Sequence, residues 1–211
     1  MAPIVEIVMD EFAAIVLAGG NARRMAGVDK LAAEIAGISL LDRAIEAAAL
    51  ARATVVVGLQ RETVRQVRWT REDPPGGGPV AGIAAGLAAI EAGASATGSS
   101  PPWVLLLAGD MPFAGAGVEQ LLAAASRLAD PIDLIMGVDV AGIDQPLLAL
   151  WRLSTLRIVI DGLATVANQS VRRLVTDLQV ERVVIDDRST LDCDEPADIE
   201  TARELLAHES G

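Results

Sequence analysis

Two uninterrupted apolar runs decide most about how this chain can fold. Residues 13–18 and 104–108 contain no polar side chain, and each run stops at a glycine, Gly19 and Gly109. A strand with one wet face alternates apolar and polar residues, whereas a strand with no alternation is covered on both faces. Further strands are read at 54–57, 67–70, 132–138, 145–151 and 182–185. Between them lie segments with helical spacing, at 40–51, 62–67, 80–91, 118–129, 155–164, 170–178 and 197–207. Strands that alternate with helices predict an α/β fold of three layers, with a mostly parallel sheet between helices. The small, breaker-rich stretch 93–102 reads as a surface connection. Strand–helix alternation continues across it, so 1–211 is expected to be one domain, with 1–11 loosely ordered.

Composition removes several functions. The net charge is −12 and aromatics make up 2% of the 211 residues, which argues against nucleic-acid backbones and anionic membranes. One cysteine, Cys193, forbids an internal disulfide and fits a reducing compartment. No signal peptide is visible, and no run of about 18 apolar residues is free of charge or glycine. The expectation is a soluble cytoplasmic protein. The lone histidine, His208, stands near the C-terminus, and there is no tyrosine. Catalysis must then come from carboxylates, lysine, arginine, backbone N–H groups and a hard metal ion.

The residues after each strand carry the chemistry. Gly19 and Gly20 follow the first strand and let backbone N–H groups face a ligand; Arg23, Arg24 and Lys30 follow as cationic donors. The set suits a polyphosphate. It lacks the Gly-Lys-Ser/Thr of a P-loop, and the dinucleotide fingerprint fails at Asn21. The alternative is a glycine turn with solvated arginines. Asp110 falls where the 104–108 strand emerges, placed to hold Mg²⁺ or to act as a turn or helix-cap aspartate. Asp73 precedes a proline–glycine loop whose Gly78, Pro79 and Gly82 lead into a helix. That loop either admits a flat base against backbone or serves as a connector. Asp192 and Asp194 point to one side of an extended segment. They are open to two readings, a metal site with Asp110 or the start of the last helix. Cys193, facing away from both, reads as core.

In order, Leu-Ala-Gly-Gly, Arg24-Met25, Asp29-Lys30, Gly78-Pro79-Val80-Ala81-Gly82, Gly109-Asp110-Met111-Pro112 and Asp192-x-Asp194-x-Pro196 resemble the molybdenum cofactor nucleotidyltransferases. The resemblance runs from about residue 13 to 206 and is nearest the guanylyl branch, which Gln145–Trp151 also resembles. It implies a Rossmann-like fold of the nucleotide-diphospho-sugar transferase type. It also implies transfer of GMP from GTP to molybdopterin cofactor, with Mg²⁺ and a recipient molybdoenzyme or biosynthetic protein as partner. By position, Leu17, Ala18 and Gly19 would contact GTP through backbone, with Gly20 beside them. Lys30 would hold phosphate, assisted by Arg24. Asp73, Gly78, Pro79 and Gly82 would engage guanosine, and Asp110 would hold Mg²⁺; Asp194 as a second ligand comes from the spacing, not from the resemblance. The pterin is expected around 144–151 and 170–173. Gly58 stands where the family often has asparagine, and Asp192 and Asp194 are more like the cytidylyl branch. A cytidylyltransferase, and a catalytically silent nucleotide-binding module, are therefore the alternatives.

Overall fold

The computed structural model of the chain describes residues 12–19, 24–25, 28–128 and 132–208. Residues 1–11, Gly20 and Arg23, with the side chain of Arg24, lie outside the described residues. In chain order the elements are β1 (Phe12–Ala18), β2 (Arg24–Met25), β3 (Val28–Asp29), β4 (Glu34–Ile35), β5 (Ile38–Ser39), α1 (Leu40–Ala47), β6 (Ala53–Gly58), β7 (Arg68–Thr70), α2 (Pro79–Thr97) and β8 (Trp103–Ala108). The second half adds α3 (Ala114–Ala125), β9 (Leu134–Val138), β10 (Asp144–Arg152), α4 (Leu153–Asp161), β11 (Val180–Val184) and α5 (Pro196–Ala207).

Seven strands form one sheet in the order β11-β9-β10-β8-β1-β6-β7. All pairings are parallel except those of β10, which runs antiparallel to β8 and to β9. The central strands are buried on both faces, as their unbroken apolar runs require. Phe12, Ala14 and Val16 of β1 meet α1 and α3 on one side, packing with Leu41, Ile45, Val118 and Leu121. Ala13 and Ile15 meet α2 and α4 on the other, packing with Val80, Ile83, Leu87 and Leu156. A third small core joins Ile35 and Leu40 to Cys193, Ile199 and Ala202, clamping α5 beside the β4–β5 hairpin.

Four expectations change. Residues 62–67 form no helix; Thr63 Oγ1 donates to the Arg65 carbonyl and Val64 N–H to Asp42, so side-chain bonds replace the helical ladder. α2 runs on to Thr97, through half of the expected surface connection, and ends at Gly98 with φ 74°. Over Pro79–Ala96 its mean hydropathy is 1.4, long and apolar enough to cross a membrane by length and composition, but the run is broken by Gly82, Gly86, Glu91 and Gly93, and here it packs on the sheet. The helices expected at 118–129 and 170–178 are α3, beginning at Ala114, and a single 3-10 turn, Val171–Val175.

The order of strands locates a site. From β1 the chain moves outward to β6 and β7 and then returns to β8 on the opposite side. Such a reversal leaves a crevice outside the carboxyl ends of β1 and β8.

Candidate active site

Backbone joins the two central strands at that crevice. Gly109 N–H donates to the Leu17 carbonyl at 2.9 Å. A Cβ on Gly109 would stand 3.0 Å from the same oxygen, so the approach needs glycine. Asp110 follows at once. Its carbonyl accepts from Cys193 N–H at 3.0 Å, which draws the 191–195 segment across the end of β8. Glu195, rather than Asp194, caps α5, in a reciprocal box with Asp198. The Asp194 carboxylate is thereby left for another partner.

That partner is Lys30. It sits in a 3-10 turn, Lys30–Ala32, and is 2% exposed, with Nζ 2.7 Å from Asp110 Oδ2 and 2.6 Å from Asp194 Oδ1. Asp29 does not pair with it: Asp29 accepts from Leu31 N–H and from Arg61 Nε at 2.6 Å. Burial opposes the Lys30 charge, but the bonds and charges of Asp110 and Asp194 outweigh it, and the pKa is raised above 10.5. The group is an ammonium ion at neutral pH. Loss of hydration, then the charges of Asp194 and Asp110, push the Asp192 carboxyl up. Burial, then the Asp110 charge, pushes the Cys193 thiol up to about 12, so it is core, not nucleophile.

A cavity of about 460 Å³ opens from Asp110 along the strand ends. Leu17, Gly19, Gly78, Pro79 and Gly82 line it with Asp110, so these residues singled out from sequence share one space; Lys30 and Asp194, joined to Asp110 through the ion pairs, are not among its lining. Ala18 is buried in the α1–α3 core and does not line the cavity. Gly78, with φ 85°, caps the start of α2, and the Gly77 carbonyl accepts from Asn168 N–H at 2.7 Å. Gln145, Pro146 and Leu147 also line it, because antiparallel β10 begins at the edge where β8 ends. Arg172 and Arg173 are exposed, and neither they nor Ser170 line it; Asn168 does.

Asp73 is exposed and does not line the cavity; its neighbour Glu72 does, and is buried. Sequence reasoning passed over Glu72, although its place after β7 was a usable signal. Gly58, φ 155°, explains the missing asparagine: a Cβ there would lie 2.6 Å from the Ala18 carbonyl oxygen. A larger cavity, about 690 Å³, lies between α1 and the start of α3, away from Lys30 and the glycine loop. Its Arg43, Arg65 and Arg188 are balanced by Asp42, Glu46 and Asp186, and none of the candidate site residues named from sequence lines it.

The donor set suits a hard cation. Asp110 and Asp194 each give Lys30 one oxygen and keep another. No closed cluster of three or more His, Cys, Asp or Glu occurs among the described residues. Mg²⁺ needs none, since it takes one or two carboxylates and completes its shell with water and phosphate.

A doubly wound sheet with a lysine, two aspartates and a glycine loop at its switch point defines a nucleotidyltransferase-type site. The chain belongs to the MobA-like NTP transferase domain family, whose model matches residues 14–183. A molybdenum cofactor guanylyltransferase from Rhodopseudomonas palustris is 36% identical over 143 residues, 65% of this chain and 65% of that one. A probable molybdenum cofactor guanylyltransferase from Natronomonas pharaonis is 26% identical over 94% of this chain and 100% of its own. Among solved structures, molybdopterin-guanine dinucleotide biosynthesis protein A from Archaeoglobus fulgidus superposes with a TM-score of 0.65 at 21% identity, covering 93% of this chain and 99% of that one. The 4-diphosphocytidyl-2C-methyl-D-erythritol synthase from Anaerococcus prevotii gives 0.67 at 13%, covering 98% and 100%. At those identities the likeness concerns the fold.

Proposed function

We propose that this protein transfers GMP from GTP to the terminal phosphate of molybdopterin cofactor. A phosphate oxygen of the acceptor attacks the α-phosphorus, the bond from that phosphorus to the bridging oxygen breaks, and pyrophosphate leaves with the electron pair. The observation that carries the reading is the buried Lys30 ammonium held at the switch point by Asp110 and Asp194. Charge developing on the α-phosphoryl oxygens and the leaving group meets a donor that is already oriented, so little reorganisation is needed. Asp110 and Asp194 position that donor, and Arg24 assists at the phosphates. Leu17 and Gly19 bound the nucleotide on one side and Gly78, Pro79 and Gly82 on the other; Asp73, exposed and outside the lining, is left without that role.

Lys30 with its two partners sums to −1 (+1 −1 −1), which alone would repel a triphosphate. Mg²⁺ held by Asp110 and Asp194 supplies the missing neutralisation when bound. The pterin is assigned to the Gln145–Pro146–Leu147 side, beside Asp110 and opposite the glycine loop. The single, buried Cys193 agrees with a reducing cytoplasm.

Asp192 and Asp194 favour a second reading, cytidylyl transfer to the same acceptor. Titration of GTP and CTP in Mg²⁺ decides between them. GTP is expected to bind at least tenfold tighter, about 1.4 kcal/mol. Equal or reversed affinities remove the guanylyl reading. Pyrophosphate release that needs molybdopterin separates an enzyme from a silent nucleotide-binding module.

A further inference from the structure

We infer that Glu72 reads the guanine base by accepting hydrogen bonds from its N1–H and 2-amino groups. The inference rests on the guanylyl reading above and assigns base choice to a residue outside the family-like motifs. Glu72 follows β7 by two residues and is 6% exposed. Its Oε1 accepts from Gly76 N–H at 3.0 Å, and it forms no ion pair among the described residues. Both carboxylate oxygens lie 3.9 Å from where a Cβ would stand on Gly19, a point 3.7 Å from the Val57 carbonyl oxygen. The side chain therefore reaches from the sheet edge over the end of β6 to the end of β1. That places the carboxylate one to two strand spacings, roughly 5–10 Å, from the β8 end where Lys30 and Asp110 meet. Phosphate and base chemistry fall at opposite ends of one cavity.

A buried carboxylate must be hydrogen-bonded, and a single backbone N–H leaves most of its acceptor capacity facing the cavity. A carboxylate only accepts. Guanine alone among the four bases offers two adjacent donors on its pairing edge. Cytosine and adenine place an acceptor next to their amino group, which a carboxylate repels. Around Glu72 the walls are Gly76, Gly78, Gly82, Leu17 and Val57, which leave room for a flat ring and supply no competing charge. Asp73, exposed beyond the cavity, has no such access.

The test compares GTP with inosine triphosphate, which lacks only the 2-amino group, by calorimetric titration in Mg²⁺. Wild type is expected to bind GTP about tenfold tighter than inosine triphosphate. Glu72→Gln keeps an acceptor for Gly76 N–H but turns a donor toward the base, and the ratio should fall to within twofold. Glu72→Asp, which keeps the charge and withdraws it by one methylene, should also collapse the ratio, and serves if the glutamine variant does not fold. If either variant folds and keeps the wild-type ratio, Glu72 only braces the loop and the inference is wrong. Equal loss for both nucleotides, with the ratio kept, means that Glu72 serves the ribose, which also overturns it. Wild type that binds CTP as tightly as GTP overturns the guanylyl reading and this inference together. Wild-type preference for GTP with variants that retain it overturns the inference alone.

Discussion

At the β8 end of the cavity three charged side chains, from positions 30, 110 and 194, meet at 2.6–2.7 Å. At the β7 end one carboxylate, Glu72, faces glycines and apolar walls. The first end is built from residues up to 164 positions apart in the chain. The second takes its carboxylate and glycines from one continuous stretch, 72–82, set against the strand ends at Leu17 and Val57, with Asn168 leaning on it. Charge that must meet developing charge is held by several elements at once, so that it cannot relax. A base can be recognised by a loop, because shape and a few hydrogen bonds suffice. Variants at the charged end should therefore change kcat, and variants at the glycine end should change KM.

The largest effect is expected at Lys30. Lys30→Ala should lower kcat by roughly 10²-fold or more, the loss typical of one preorganised donor. Lys30→Arg should rescue poorly, because a planar fork does not replace a point charge. The burial of Lys30 also changes what to expect of stability. An exposed lysine beside Asp29 could be removed freely, but here removal leaves two carboxylates facing each other. Asp194 is 64% exposed, so the penalty is less than for a fully buried pair, about 1–2 kcal/mol. A raised folded pKa means this stability is present at all neutral pH values and fades only as pH climbs past 10.5. Thermal melts should show the same deficit from pH 6 to pH 9. Wild-type turnover by the alanine variant would show that the phosphate cradle lies elsewhere.

Asp110→Ala comes next. Turnover in Mg²⁺ should fall at least about tenfold, the low end for losing a group that supports a metal, and more Mg²⁺ should be needed for half-maximal rate. Circular dichroism should be unchanged, because Asp110 is tied to the fold by its backbone carbonyl and caps no helix. Near-normal rate with a normal spectrum would return Asp110 to the role of a plain turn residue.

Gly78→Ala probes the other end. A φ of 85° with ψ −179° is a conformation essentially reserved for glycine, and an alanine there is strained by roughly 1–3 kcal/mol. KM for GTP should rise about fivefold while kcat stays within twofold. A matching loss of kcat would show that the two ends are coupled rather than separate.

Arg61→Ala has the smallest effect and checks who pairs with whom. Arg61, by its hydrogen bond above all, holds Asp29 below 3.8. A lowered folded pKa contributes stability above that value and loses it as pH falls through the folded pKa. With Asp29 40% exposed, the difference between wild type and variant should be under about 1 kcal/mol at pH 7 and vanish in acid. A kcat near wild type would confirm that Lys30 does not depend on Asp29.

The central strands were legible because burial on both faces leaves no polar residue in 13–18 or 104–108. That the glycine loop and Asp110 line one cavity was legible because crevices in such sheets open at the carboxyl ends of strands. The direction of β10 was not, since an apolar run looks the same read either way; only its pairing with β8 brings Gln145 to Leu147 to the site. The length of α2 was hidden by Gly93 and Gly98, small residues that suit a helix end or a loop equally well. The choice of Glu72 over Asp73 turns on which side chain faces the cavity, and adjacent residues leaving a strand differ in that by geometry alone.

By itself, then, the sequence determined the α/β layering, the strand cores and the chemistry available at each strand end, because these depend on local pattern and residue type. The tertiary structure decided that Lys30 pairs with Asp110 and Asp194 rather than with its neighbour Asp29. It also made Glu195 the cap of α5 and freed Asp194 for the lysine. The reason is physical: an ion pair is set by where chain packing leaves the charges, and nothing in a linear spacing of 164 residues encodes a 2.6 Å contact.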